Sequence, residues 1–299
     1  MNIFSYKMLL ENIIRGIGAW KQKNQGGMVV RINNNLMAMN AHRQLKINSA
    51  NQEKSLEKLS SGYRINRAGD DAAGLSISEK MRAQIRGLQK ASSNAQDGIS
   101  LIQTAEGALT ETHEILQRMR ELAVQAANDT NVDKDRSAIQ LELNELHEEV
   151  TRIAQKTQFN TQALLNGSLQ NKVIQIGANK GETLTISIGT MTAAKLSVAG
   201  LSVSTSAKAQ SAISKIDAAI NTVSSERARL GAKQNRLEHT IKNLDTSAEN
   251  LQASESRIRD VDMAKEMMNF TKNNILNQAA TAMLAQANMV PQGVLQLLQ

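Results

Sequence analysis

The chain has 299 residues and a formal net charge of +7, with no cysteine, one proline and an aromatic content of only 2%. So few aromatic side chains leave a core of Leu, Ile, Val, Ala and Met, which suits long helical packing. Pro291 is the only proline, so long uninterrupted helices are permitted almost everywhere. The absence of cysteine excludes disulfides and thiolate metal sites, and the dispersed basic residues lack the clustering and interleaved aromatics typical of nucleic-acid binding.

The first 27 residues differ in composition from the rest. Phe4, Tyr6 and Trp20 are half of the chain's aromatic residues. Glu11 and Arg15 interrupt the apolar run, which argues against a secretory signal and a membrane span. An amphipathic helix lying on a membrane stays an alternative for this segment.

A different reading of this segment comes from the genetic code. Gln25-Gly26-Gly27 can be encoded by a purine-rich sequence that matches a bacterial ribosome-binding site. We therefore expect translation to begin at Met28 or Val30, which makes residues 1–29 a non-native leader read from an upstream start. The alternative is a disordered extension.

Residues 30–71 predict a helix and a connector. The apolar residues are widely spaced among Asn, Gln and Ser, and a lone helix of this kind is marginally stable in water. The apolar stripe consists of Leu36, Met39, Leu45, Leu56 and Leu59.

Residues 72–167 predict two long helices. Asp70 and Asp71 can cap a helix from Ala72, and residues 128–131 end it. Asp133 or Asp135 can cap the second helix, which residues 166–168 are expected to end. Apolar residues recur at intervals of three and four, as expected for helices that pack along one face. They are Leu101, Ala105, Ala108, Ile115, Met119, Leu122 and Ala126 in the first helix, and Ile139, Leu143, Leu146, Val150 and Ile153 in the second.

Residues 168–207 predict a β-hairpin followed by a Ser- and Ala-rich linker. Residues 173–176 are mostly apolar, a turn is expected at 178–181, and Leu184, Ile186 and Ile188 then alternate with Thr and Ser. Residues 208–254 then predict a third long helix with a coiled-coil-like apolar stripe. This stripe continues to residue 258 and consists of Leu230, Leu237, Ile241, Leu244, Ala248, Leu251 and Ile258.

Residues 255–299 predict a second terminal helix with a dilute, Met-rich stripe, which suits reversible packing. We expect the two terminal helices to pair with each other and with neighbouring copies of the chain. The stripe residues expected to drive self-assembly here are Val261, Ala264, Met268, Ile275, Leu276, Ala279, Met283 and Leu284.

The sequence contains no pattern typical of catalysis. The four histidines do not form a zinc-binding or triad motif, and His147 lacks a second histidine at helical spacing. Gly62, Gly69 and Gly74 match neither a dinucleotide-binding nor a phosphate-binding loop. We therefore expect no enzyme activity and no cofactor.

Long motifs across the chain resemble bacterial flagellin, from about residue 31 to 298. The N-terminal half carries LSSGYRIN at 59–66, AGDDAAG at 68–74 and LQRMREL at 116–122. The C-terminal half carries LGAKQNRLE at 230–238, ASESRI at 253–258 and MLAQAN at 283–288.

The resemblance implies a mainly α fold, in which a long antiparallel coiled-coil-like helical bundle carries one small β-hairpin. The terminal helices, 30–71 and 255–299, would pair into an inner coiled-coil layer that is disordered in the free monomer. The rod corresponds to residues 72–254. With no large insertion between its halves, the chain should give a thin, smooth filament.

The resemblance also implies partners and a location. The subunit would be exported unfolded by the flagellar type III apparatus and polymerise into a homopolymer, the extracellular filament for swimming motility. Expected partners are an export chaperone on the C-terminal helix, filament cap and junction proteins, and a host innate immune receptor. Receptor recognition carries over to Arg118, Leu122 and Glu142, whose simpler role is helix packing or contact with the next protofilament.

Two other functions compete with this interpretation. A hook–filament junction protein shares the terminal helices, but usually has a more elaborate centre than this chain. A coiled-coil secretion protein would need a membrane-active hairpin or helix face.

Overall fold

The computed structural model describes residues 34–297, except for the side chains of residues 291 and 293–297. The non-native leader or disordered extension expected at residues 1–29 lies outside the described residues. The described helices are α1 (Leu36–Ser61), α2 (Ala72–Ala127), α3 (Asp133–Lys156), α4 (Ser206–Arg259) and α5 (Met263–Leu297). The strands are β1 (Gln158–Phe159), β2 (Gln162–Ala163), β3 (Lys172–Gln175) and β4 (Thr183–Ile186). Residues 71–259 form one compact unit, and the described residues 34–70 and 260–297 belong to a second.

The larger unit is built on the antiparallel pair of α2 and α4. Buried Leu, Ile, Val, Met and Ala line its core, as the composition predicts. Leu230, Leu237 and Leu244, which belong to the predicted apolar stripe of α4, are all buried. Side-chain contacts also link the two helices along their length. Ser78 Oγ donates to Glu255 Oε1 at 2.9 Å, and Arg120 Nε donates to Asp217 Oδ1 at 2.7 Å.

The predicted start of α2 is confirmed and the predicted end of α3 is wrong. The Asp71 carboxylate accepts a hydrogen bond from the Gly74 N–H at 2.8 Å, which caps α2. Helix α3 ends at Lys156, not at residues 166–168. Asn160 and Thr161 have φ values of 46° and 63°, and this left-handed backbone forms the tight turn that joins β1 to β2.

The predicted hairpin is confirmed. Strands β3 and β4 pair antiparallel, with Val173 opposite Thr185. The hairpin lies close against α2 because two glycines of that helix leave room for it. A Cβ atom at Gly98 would lie 2.6 Å from Ile174 Cδ1, and one at Gly87 would lie 2.9 Å from Ala178 Cβ.

The Ser- and Ala-rich linker is part of the core. Met191, Val198 and Val203 are buried in it. The Gln140 side-chain amide donates to the Leu201 carbonyl and accepts from the Val203 N–H, each at 2.8 Å. The linker is therefore fixed to α3 by the same pair of hydrogen bonds that a neighbouring strand would supply.

The smaller unit is the antiparallel pair of α1 and α5. Gly62, at a φ of 73°, ends α1, and its carbonyl accepts from the Val261 N–H at 3.0 Å. At the opposite end, Asn35 Nδ2 donates to the Ala287 carbonyl at 2.7 Å. These two contacts fix the direction of the pair.

Candidate self-assembly surfaces

The face along which α1 and α5 meet, here called the seam, follows a heptad repeat on both helices. Its residues recur at alternating intervals of three and four and are half-buried or buried. They are Ala38, Ala41, Leu45, Asn48, Gln52, Ser55 and Leu59 on α1, and Glu266, Phe270, Asn273, Asn277, Ala280, Leu284 and Ala287 on α5. Most of these side chains are small or polar, so the seam buries little apolar area.

Large apolar side chains of α5 are exposed instead. Met268 is 66% exposed, Ile275 is 60% exposed and Met283 is 60% exposed. Met267, Met268, Ile275 and Leu276 line a shallow groove that is open to solvent. On a helix of a water-soluble monomer, apolar residues ordinarily face the partner helix, so this arrangement is the reverse of the usual one.

The structure divides the residues predicted for self-assembly between the seam and the exposed faces. Leu45, Leu59, Val261 and Leu284 are half-buried. The remaining ones are exposed: Leu36, Met39, Leu56, Ala264, Met268, Ile275, Leu276, Ala279 and Met283. The seam polar residues were missed by the sequence analysis, although the heptad spacing of Asn48, Gln52 and Ser55 in the sequence could have indicated them.

The second predicted site lies where α2 faces α3. Arg118 Nη2 lies 2.9 Å from Glu142 Oε1, and Arg118 Nη1 lies 3.1 Å from Glu121 Oε2. Glu142 and then Glu121 raise the pKa of Arg118 above its ordinary value. Leu122 is buried in the core, with 2% of its surface exposed. The structure thus joins two of the three predicted residues at the surface and places the third beneath it.

One exposed apolar residue of α3 was not predicted. Leu141 precedes Glu142 on α3 and is 68% exposed. The signal was present in the sequence, because residue 141 falls outside the stripe of Ile139, Leu143 and Leu146 that packs inward.

Among residues 34–297, no group of His, Asp and Glu side chains is arranged to hold a metal ion. None of the described helices combines the length and the apolar character needed to cross a bilayer.

Comparison with known families assigns the chain. The family model of the bacterial flagellin N-terminal helical region matches residues 32–170, and that of the C-terminal helical region matches residues 213–298. The chain belongs to the bacterial flagellin family. Members of this family are structural proteins and not enzymes.

Individual relatives agree with this assignment over most of the chain. The chain is 62% identical to a flagellin of Halalkalibacterium halodurans over 270 residues, covering 90% of this chain and 99% of that one. It is 51% identical to the flagellar filament core protein flaB2 of Brachyspira hyodysenteriae over 283 residues, covering 90% and 99% of the two chains.

One solved structure has a fold similar to that of this chain. The structure of a putative flagellar hook-associated protein from Vibrio parahaemolyticus matches with a TM-score of 0.55 at 15% identity, covering 64% of this chain and all of that one. At this identity the likeness concerns the fold alone. It agrees with the mainly helical architecture expected from the sequence.

Proposed function

We propose that this chain polymerises into an extracellular flagellar filament, and that the exposed apolar face of α5 is buried against further copies. The observation that supports this proposal most is the exposed row of Met268, Ile275 and Met283, which the α1–α5 pair leaves uncovered. Filaments of one subunit need surfaces that fit other copies of the same chain. The name of the Brachyspira hyodysenteriae relative, a filament core protein, is in accord with this function.

The proposal extends to the organisation of the chain. Residues 30–71 and 255–299 form the inner layer of the filament, and residues 72–254 form the rod, with the hairpin and linker at 168–207. The subunit is exported unfolded through the flagellar type III apparatus. An export chaperone binds the C-terminal helix, and cap and junction proteins contact the assembled subunits.

The Arg118 and Glu142 pair is proposed as a contact for the next protofilament or for a host innate immune receptor. Its two side chains are about half exposed. Leu122 supports this surface from the core and would touch a partner only after rearrangement. Leu141, the residue before Glu142 on α3, is an exposed apolar side chain.

Seeded elongation tests the filament proposal. Purified chain is added to short filament fragments, and growth is followed by electron microscopy. Elongation into thin, smooth filaments is expected. A chain that stays monomeric beside intact seeds would contradict the proposal.

A further inference from the structure

The middle of the α1–α5 seam is polar, although this is where a helix pair usually buries its apolar residues. Asn48 and Gln52 of α1 and Asn273 and Asn277 of α5 occupy successive heptad positions and are half-buried. These four residues are here called the amide layer. Asn277 Nδ2 donates to Gln52 Oε1, which joins the two helices.

The amide layer is not fully satisfied. Asn277 Oδ1 is buried and has no hydrogen-bond partner among the described residues. A buried acceptor without a donor costs free energy, because it loses its hydrogen bonds to water. One amide–amide hydrogen bond therefore offsets only part of the cost of closing the seam here.

Apolar seam residues lie on both sides of the amide layer. Leu45 and Leu284 lie toward one end of the pair, and Leu59 and Phe270 lie toward the other. In coiled coils, polar residues at such positions select a particular arrangement at a cost in stability. A pair of two helices buries little apolar area, and the entropy lost on ordering each residue already opposes its folding. Little favourable free energy is therefore left to offset the cost of the polar residues.

We propose that the amide layer keeps the α1–α5 pair from closing stably in the single chain, so that closure is coupled to covering of the outer apolar face by further copies. This inference rests on the proposed filament function, which supplies those copies. The seam contributes the fit between the two helices, and the exposed row of α5 contributes the apolar area. The amide layer thus makes the terminal helices depend on assembly.

Replacing the amides with leucine tests the proposal in the monomer. The full-length chain carrying Gln52→Leu and Asn277→Leu replaces the amide pair that bonds across the seam with two leucines, and Asn48 and Asn273 stay in place. The pair should then close more stably without further copies. The matched control carries Asn51→Leu and Asn274→Leu, which add the same side chains at exposed neighbouring positions. Each single seam variant leaves one amide facing leucine and should gain less than the double variant.

Limited proteolysis of the monomers, below the concentration at which they assemble, gives the readout. Cleavage of a transiently open segment follows the population of its open form. We expect the seam double variant to be cut in α1 and α5 about tenfold more slowly than the unchanged chain, as removal of an unsatisfied buried amide implies. The control variant should be cut as fast as the unchanged chain.

Two outcomes would overturn the proposal. One is an equal cleavage rate in the seam double variant and the unchanged chain, and the other is equal protection in the control variant. Seeded elongation of the same samples separates this inference from the filament function. If the unchanged chain extends seeds while the seam variant gains no protection, the amide layer proposal fails and the filament proposal stands. If the unchanged chain does not extend seeds, the filament proposal itself fails.

Discussion

Replacement of Ile275 by aspartate tests whether the outer face of α5 is a self-assembly surface. Ile275 is 60% exposed in the single chain, so more than half of its side chain is available for burial against another copy. In the proposed filament, Ile275→Asp removes that burial and brings a carboxylate into an apolar contact.

The size of the effect follows from the exposed fraction. Full burial of an Ile side chain contributes about 1.5–3 kcal/mol, so the 60% that is exposed has about 1–2 kcal/mol still to contribute. Desolvation of the new polar group adds about 1–3 kcal/mol. A combined loss of about 2–5 kcal/mol corresponds to a critical concentration for assembly about 30-fold to several thousand-fold higher.

The assay is seeded elongation followed by measurement of the protein that stays in the supernatant at steady state. Asn274→Asp is the matched control, because it places the same charge on the adjacent exposed residue, whose side chain is already polar. We expect the control to assemble almost as the unchanged chain does. A critical concentration of Ile275→Asp within about threefold of the unchanged chain, which is under 1 kcal/mol, would refute the assignment of this face.

Three further predictions concern other parts of the chain. Gly98→Ala should destabilise the larger unit by about 1–3 kcal/mol in chemical denaturation, because its Cβ would lie 2.6 Å from Ile174 Cδ1. Gly107→Ala, which has open space around it, should stabilise the same unit by about 0.5–1 kcal/mol. Equal effects of the two substitutions would contradict the close hairpin contact. The backbone N–H groups of Arg67 and Asn66 lower the pKa of Asp70 below its ordinary value of 3.8, so this carboxylate stabilises its turn above that pH and the stabilisation is lost as pH falls through the lowered pKa. The amide chemical shifts of Arg67 and Asn66 should follow this titration and lose it in Asp70→Asn, and a titration at or above pH 3.8 would contradict the effect. The intact mass of the protein from its natural source should correspond to a chain that begins at Met28 or Val30. A mass that includes residues 1–27 would rule out translation from either of these residues.

Helix positions and pairings were predictable because they depend on local patterns. The apolar spacing of Leu230, Leu237 and Leu244 gave the buried face of α4, and Asp71 gave the start of α2. The alternation around residues 178–181 gave the hairpin. Each of these signals lies within a few residues of the feature that it predicts.

Other features depended on the tertiary context. The sequence around Asn160 and Thr161 looks compatible with a helix, and only the left-handed backbone of both residues shows the turn that follows α3. The linker at 189–207 was predicted from its Ser and Ala content. Met191 and Val198 are nevertheless buried, and Gln140 and Glu226 hydrogen-bond to the backbone of this segment.

The candidate site shows the same limit. The apolar residues of the terminal helices were visible as dilute stripes, but which of them face the partner helix depends on the register of α1 against α5. Leu45 and Leu284 lie in the seam, whereas Met39 and Met283 are exposed. Leu122 was expected at a recognition surface and is buried, because a stripe residue that packs inward and one at the edge of the stripe look alike in sequence.

Hydrogen exchange of the same chain as a monomer and in the filament shows whether the terminal helices depend on assembly. We expect backbone amides of α1 and α5 to exchange rapidly in the monomer and to become strongly protected in the filament, while those of α2 and α4 are protected in both. Terminal helices that are equally protected in the monomer and in the filament would contradict this dependence.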